Sequence, residues 1–386
     1  MSFALSIFFI FALNIPYFDF SDAGSEFYGH GRELGEPPVR TVRIGVMGPE
    51  KTPEGEQLRN GVEIALEEAN EKGGYRGIPY EMVFRPDDGP WGTASKQVVR
   101  LAYDDKVWTI IGGLDGHHTH LAELVVAKAW VPVVTPCAVD FTIDYANVPW
   151  VFRCMPDDSR QAELLLELAR RRGYRRIVVL TEIGREAYVG FSRLREISWH
   201  KRYPLSLHLQ YPSYDPELIL PRLEGIPIDA VIIWGKGSSA IRLLQALRKR
   251  GITVPVLGSS SLATPEVARS APPVGELIVV APCDLSRDDA EFLNFKRKFK
   301  ERTGKAPSPI ALFAYDAARL VIRAIEKAGL NRARIRDELA GTSFSGVTGR
   351  ISFDSLGGNR SEPILMSLKE GRWVRLRTNK SSEGGR

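Results

Sequence analysis

Apolar residues along this chain fall into two rhythms that alternate over most of its length. "VRIGVM" (42–47), "WTIIGG" (108–113), "VPVVTP" (131–136), "RIVVLTE" (176–182), "DAVIIWG" (229–235), "VPVLGSS" (254–260) and "LIVVAPC" (277–283) are short and mostly rich in β-branched residues. Runs of this length, bounded by turn residues, predict strands buried on both faces. "YEMVFRPDD" (80–88) predicts one more. Between the strands the apolar spacing changes to three and four. After Thr52 and Pro53, a good helix start, Leu58, Val62, Ala65, Leu66 and Ala69 share a face until Gly73-Gly74 ends it. "ASKQVVRLAYDD" (94–105), "HLAELVVAKA" (120–129), "AELLLELARRRG" (162–173), "YVGFSRLREI" (188–197) and "SAIRLLQALRKRG" (239–251) predict further helices. Such alternation means parallel sheets covered by helices on both faces.

The alternation pauses at "VPWVFRCMPDD" (148–158) and restarts, so the chain holds two αβ units of similar length. A length of 386 residues suits two lobes better than one core. Two later helical stretches, 288–304 and 310–329, have no sheet of their own and must dock onto one unit. That predicts several passages between the units and a cleft between them. Residues 349–376 alternate and carry a Gly-Gly turn, which predicts terminal strands.

Composition narrows the class. A hydrophobic fraction of 44% with 26% charged residues is that of a globular protein. The net charge is only +5, and the basic runs 170–176, 247–251 and 295–305 sit near predicted helix ends. Cations there complement the helix's free carbonyls, so no nucleic-acid partner is expected. The apolar start, with no charge before Asp19 and small residues over 21–23, predicts a signal peptide over 1–23 and an exported, periplasmic protein; an uncleaved anchor is the alternative. Three cysteines, Cys137, Cys154 and Cys283, allow one disulfide and one free thiol.

Catalytic motifs are missing. "GVMGPEKT" (45–52) follows a strand as a phosphate loop would, but Glu50 stands where a second Gly is needed. No nucleophile elbow, dinucleotide fingerprint or zinc-protease helix occurs, so no catalytic residue and no cofactor is assigned. Three of the six histidines, His117, His118 and His120, crowd into "GGLDGHHTH" (112–120). Three readings stand: a zinc site completed by Asp115 or Asp140, plain polar surface, or a ligand mouth where helix amides hold an anionic group. The last agrees with ligands binding outside the carboxyl ends of parallel strands.

"IGVMGP…LRNGVEIALEEANEKGG", "IIGG…VPVVTPCA", "FRCMPDDSRQA" and "FAYDAARL" occur in an order that resembles the type I periplasmic binding proteins of the branched-chain amino-acid kind. The likeness spans roughly residues 41–378. It implies two Rossmann-like lobes, parallel sheets flanked by helices, joined by three crossover strands near 152–157, 281–286 and 346–352. The lobes implied are 41–152 plus 284–347 and 153–283 plus 348–378, between a linker over 24–40 and a disordered tail over 379–386. The resemblance also implies a monomer that binds a small molecule and hands it to an ABC transporter permease. A sensor subunit is the alternative, and a metal-dependent hydrolase built on His117, His118 and His120 the rival from another class.

Carried over position by position, the first-lobe grip would be Gly116, His117 and His118 with Cys137, Ala138 and Val139, and Glu54 would line the cleft. The second lobe would add Tyr188, Trp234, Lys236 and Ser260. Ser260 stands where amino-acid binders usually carry a carboxylate for the ligand ammonium. The expected ligand is therefore a small molecule with an acid or carbonyl end rather than leucine, isoleucine or valine. Cys154 and Cys283 would lie on neighbouring crossover strands, close enough for a disulfide in some registers.

Overall fold

The computed structural model describes residues 31–90, 92–273 and 275–376. The expected signal peptide and the whole of the expected tail lie outside them. The first unit runs β1 (Val42–Gly48), α1 (Pro53–Glu71), β2 (Tyr80–Pro86), α2 (Thr93–Val99), β3 (Thr109–Gly112), α3 (Gly116–Ala129), β4 (Val133–Thr135), α4 (Thr142–Ala146) and β5 (Val151–Arg153). The second runs α5 (Asp158–Arg171), β6 (Ile177–Glu182), α6 (Arg185–His200), β7 (Leu207–Tyr211), β8 (Ala230–Trp234), α7 (Gly237–Lys249), β9 (Val256–Gly258), α8 (Pro265–Ser270) and β10 (Leu277–Ala281). The chain then adds α9 (Ala290–Thr303), α10 (Pro309–Ala328), α11 (Arg332–Ala340), β11 (Ser343–Gly346), β12 (Gly349–Ser352), β13 (Ile364–Lys369) and β14 (Arg372–Arg375).

The two sheets repeat one design. The first has the order β2-β1-β3-β4-β5, all parallel, and the parallel part of the second is β7-β6-β8-β9-β10. Both orders reverse at their first strand. In such sheets a crevice opens outside the carboxyl ends of the strands at that reversal. The strands flanking it here are β1 and β3 in one unit and β6 and β8 in the other. β13 and β14 extend the second sheet antiparallel beyond β10. The expectation of terminal strands thus holds for the tail, and β5, inside the apparent pause, is a strand of the first sheet.

The returning helices cover the first unit. α9 and α10 both pack on α1, whose Leu58, Val62, Ala65 and Leu66 are buried as the spacing predicted. α10 comes so near that a Cβ on Gly61 would lie 2.6 Å from the Ala311 carbonyl oxygen. Asp316 of α10, fully buried, accepts bonds from the Val347 amide (3.1 Å), the Thr348 amide (2.7 Å) and the Thr348 hydroxyl (2.6 Å), which ties β11 and β12 to this helix.

Three stretches pass between the units: 154–157, 282–289 and 353–363. The first and third are laced together. The Arg153 amide donates to Gly357 O at 2.8 Å, and the Asn359 side chain bonds the Cys154 carbonyl. The buried Arg153 guanidinium pairs with Asp144 at 2.5 Å and lies 3.7 Å from Asp157. Cys137, Cys154 and Cys283 share one hydrophobic cluster and all three are free, so the Cys154–Cys283 disulfide is absent from the structure. Burial pushes all three thiols up. Among the described residues no helix is long and apolar enough to cross a membrane.

Two outcomes follow from this packing. Gly61→Ala should destabilise the protein by about 1–3 kcal/mol, the usual cost of forcing an extra methyl into a filled contact. Gly35→Ala, where nothing lies within 4 Å, should stay within about 0.5 kcal/mol, both read from urea unfolding. A thiol reagent added to the native protein should find Cys137, Cys154 and Cys283 unreactive until denaturant is added.

Candidate functional site: the crevice between the two sheets

Asp115 builds the first-unit side. Its carboxylate caps α3, accepting the His118 amide at 2.8 Å, and also meets the His118 ring Nδ1 at 2.7 and 2.9 Å. The cap starts the helix at Gly116, four residues before the apolar spacing begins at His120. A Cβ on Gly116 would lie 2.1 Å from Asp140 Oδ2, so only glycine lets these segments meet.

The three histidines do not converge. His117 is exposed and stands edge-on to His118. His118 is held by Asp115, while His120 bonds Glu123 (2.6 Å) through one nitrogen and Thr142 (2.8 Å) through the other. Among the described residues no group of three or more His, Cys, Asp or Glu could hold a metal ion. The metal reading of the cluster has no geometry behind it.

The loop after β4 is largely occupied with its own bonds. Ala138 is buried and its amide reaches the Thr135 hydroxyl at 3.4 Å. The Val139 carbonyl accepts the Asp158 amide across the crevice at 2.7 Å, and the buried Cys137 thiol faces Ile310 O. Glu54, in the first turn of α1, is exposed.

On the facing unit the first turn of α6 reaches across. Arg185 Nη1 lies 2.7 Å from Asp140 Oδ2 and 2.8 Å from Glu186 Oε1. Glu186 Oε2 accepts the Gly116 amide at 3.2 Å. The amide expected to take a ligand's acid or carbonyl oxygen therefore already holds a carboxylate of the chain itself. Tyr188 is exposed on the same helix. Trp234 is 4% exposed and belongs to the second unit's core, its indole so close to Gly190 that a Cβ there would lie 2.3 Å from Nε1. It is not a cleft wall. The Lys236 side chain is exposed while its amide donates to the buried Glu182 at 2.6 Å, and the Ser260 amide donates to Gln161 Oε1 at 2.9 Å.

Asp87, Asp158, Arg185 and Glu186 were not singled out from the sequence, and Asp140 only as a candidate zinc ligand. Each lies just past a strand or in a first helical turn, so the strand order was the signal that could have found them. Their electrostatics are unusual. Burial pushes Asp87 up to about 6, with His118 pulling the other way and Asp115 and Asp88 adding repulsion. Burial, then Asp140, Asp157 and Glu186, holds Asp158 well above the usual carboxylate range. Glu186 is raised by burial and by Asp115. A separate pocket of about 440 Å³, with Phe141, Tyr145, Arg160 and Arg193 in its lining, opens beside α4, α5 and α6 and includes none of these residues.

Two repeated parallel sheets, linked by three passages and facing each other through their carboxyl-end crevices, define a type I periplasmic binding protein. The chain belongs to that family: the model described as "Periplasmic binding protein" matches residues 41–366. Its curated relatives include proteins named for binding leucine, isoleucine and valine. It is 22% identical over 327 residues to a leucine-, isoleucine-, valine-, threonine- and alanine-binding protein of Pseudomonas aeruginosa, covering 82% of this chain and 87% of that one. Its fold is similar to a branched-chain amino acid transporter substrate-binding protein of Streptococcus pneumoniae in complex with isoleucine, at TM-score 0.76 and 22% identity over 86% of this chain and 97% of that one. It is similar at TM-score 0.78 and 19% identity to a solute-binding protein of R. palustris in complex with benzoate, over 87% of this chain and 95% of that one.

The Asp115–His118 pair sets a pH dependence. Its bond to Asp115 raises His118 against the effect of burial. For Asp115 burial alone would raise the carboxyl, but the His118 contacts outweigh it and hold it below its ordinary value. The pair's contribution is thus complete below the imidazole's ordinary value of about 6.5 and is lost as pH rises through the raised folded value. On the acid side it fades only as pH falls through the lowered Asp115 value. His118→Ala should cost more near about pH 5.5 than near about pH 8.5, by on the order of 1 kcal/mol after allowing for partial exposure. Urea midpoints for both proteins at the two pH values check this; equal costs would mean that no charged pair forms.

Proposed function

We propose that this protein captures a small organic solute between its two units and delivers it to an ABC transporter permease from the periplasm, as a monomer. The observation that carries the reading is that both crevices face each other and are bridged by residues of opposite units, Glu186 to Gly116 and Arg185 to Asp140. Polar contacts of this kind suit a surface that parts and rejoins, since interfaces between moving domains are more polar than permanent ones. We take the lobes expected from the sequence, 41–152 plus 284–347 and 153–283 plus 348–378, with the first boundary moved past β5 and the last past β12, which pairs with β11 and is tied to α10; the three passages act as the hinge, where a few backbone torsions suffice for closure.

Family membership supports solute binding without naming the solute. Structures similar to this one hold ligands as different as isoleucine and benzoate. Here the position that pairs with a ligand ammonium in amino-acid binders is Ser260, and the α3 amide is filled by Glu186. An ordinary amino acid held at those two positions would lack both partners, and each buried charge left unpaired costs several kcal/mol.

Four measurements test the proposal. Calorimetry with leucine, isoleucine and valine should show no micromolar binding. A thermal-shift screen of small metabolites should yield a solute that stabilises the protein by about 2.7 kcal/mol at a hundred times its dissociation constant. With that solute bound, small-angle scattering should show a more compact particle than without it; identical curves would remove the hinge. Loss of uptake of that solute on deleting the gene, restored by complementation, tests delivery, and unchanged uptake would overturn it.

A further inference from the structure

The crevice holds more acid than base. Asp87, Asp115, Asp140, Asp158 and Glu186 are coupled around the start of α3 and the first turn of α6. The cations set among them are all engaged: Arg185 with Asp140 and Glu186, His118 with Asp115, His120 with Glu123. Asp87 is the exception. It stands one residue past β2, its amide bonded to Gly48 O at the end of β1, so it borders the crevice where the strand order reverses. Asp87 is 3% exposed, and among the described residues its Oδ1 has no hydrogen-bond partner.

A buried carboxylate oxygen without a hydrogen-bond partner is costly; the nearby His118 charge offsets part of that cost, while Asp115 and Asp88 add repulsion. Only a proton or an incoming donor relieves it. Burial above all pushes Asp87 up to about 6, so its carboxyl holds a proton more readily than an exposed one. An acidic solute would add to the surplus of negative charge and would have to evict Glu186 from the Gly116 amide. A neutral apolar solute would leave Asp87 unchanged. A solute with a protonated amine removes both penalties together, since it supplies donors and the missing positive charge.

The geometry points to a solute that carries a protonated amine, anchored at the Asp87 carboxylate beside the Asp115–His118 pair. This rests on the solute-binding reading and deepens it: the chain supplies the acid end at Gly116 from its own Glu186, and the solute brings the cation. In amino-acid binders the ammonium partner is in the second lobe, at the position of Ser260; here it would lie on the first. The amine reaches Asp87 when the units part and is enclosed when they close.

Two fragments of equal length, n-butylammonium and butyrate, test it on the full-length protein at matched ionic strength. The readouts are the NMR titration of the Asp87 carboxyl carbon, the Gly116 amide signal and the thermal midpoint. Butylammonium should lower the Asp87 titration midpoint by about one unit, equivalent to a roughly tenfold preference for the ionised form, and should raise the thermal midpoint. Asp87→Asn, nearly isosteric, should remain folded by circular dichroism and lose the thermal response. An Asp87 midpoint that ignores butylammonium overturns the proposal, as does a thermal response that survives in Asp87→Asn. Butyrate shifting the Gly116 amide while butylammonium does nothing would also overturn it, because the site would then be an acid site that Glu186 merely fills. In that last case solute capture stands and only the amine class falls. If Asp87 responds as expected but no metabolite binds and uptake is unaffected, the amine site stands and delivery falls.

Discussion

The contact between α1 and α10 is the constraint on which the rest of the architecture depends. α1 carries an apolar face that the first sheet alone does not cover, and the segment that completes the cover lies more than two hundred residues further along the chain. The approach is close enough that Gly61 admits no side chain, and α10 is buried along most of its length. Because the chain must come back to bury these faces, it has to leave the second unit after β10. Having capped the first unit with α9, α10 and α11, it crosses once more to lay β13 and β14 along the second sheet. Three passages are the consequence. The first and third, laced by Arg153 and Asn359, help hold the two sheets with their carboxyl ends facing.

The same topology explains why charge accumulates between the units. The carboxyl ends of parallel strands and the amino ends of the following helices meet at one edge, so loops there are short and polar. Asp115 and Asp140 each serve local structure, one as a helix cap and one by bonding the Thr142 amide and hydroxyl at the start of α4. Carboxylates are the natural caps because helix amino ends favour negative charge. When two such edges face each other, local caps become neighbours across a narrow space. Glu186 against Gly116 is the extreme case: a side chain from one unit fills the amide of a helix in the other. The suppressed ionisation of Asp87, Asp158 and Glu186 follows from that burial and crowding, rather than from any single ion pair.

Local pattern determined a great deal here. The continuous β-branched runs are buried parallel strands, the face of α1 is buried as spaced, and the order of the motifs was enough for the family, because each depends on neighbours only a few residues apart. Helix starts were less legible. α3 begins at Gly116 because the Asp115 side chain caps it, a polar signal that apolar spacing does not contain. β5 was hidden for a different reason: three residues are too few to show a period, and only pairing with β4 makes them a strand. What tertiary structure alone decided is which side chains meet. Trp234 looked like a cleft wall from its place after a strand, yet it turns toward Gly190 and into the core. His117, His118 and His120 looked like one cluster, yet a helical turn sends them to different partners. Arg185 and Glu186 lie far in sequence from Asp140 and Gly116, and no periodicity links them. Burial, strand order and capping are written in short stretches of chain, whereas contacts across the crevice depend on how two separately folded sheets are set against each other by α1 and α10.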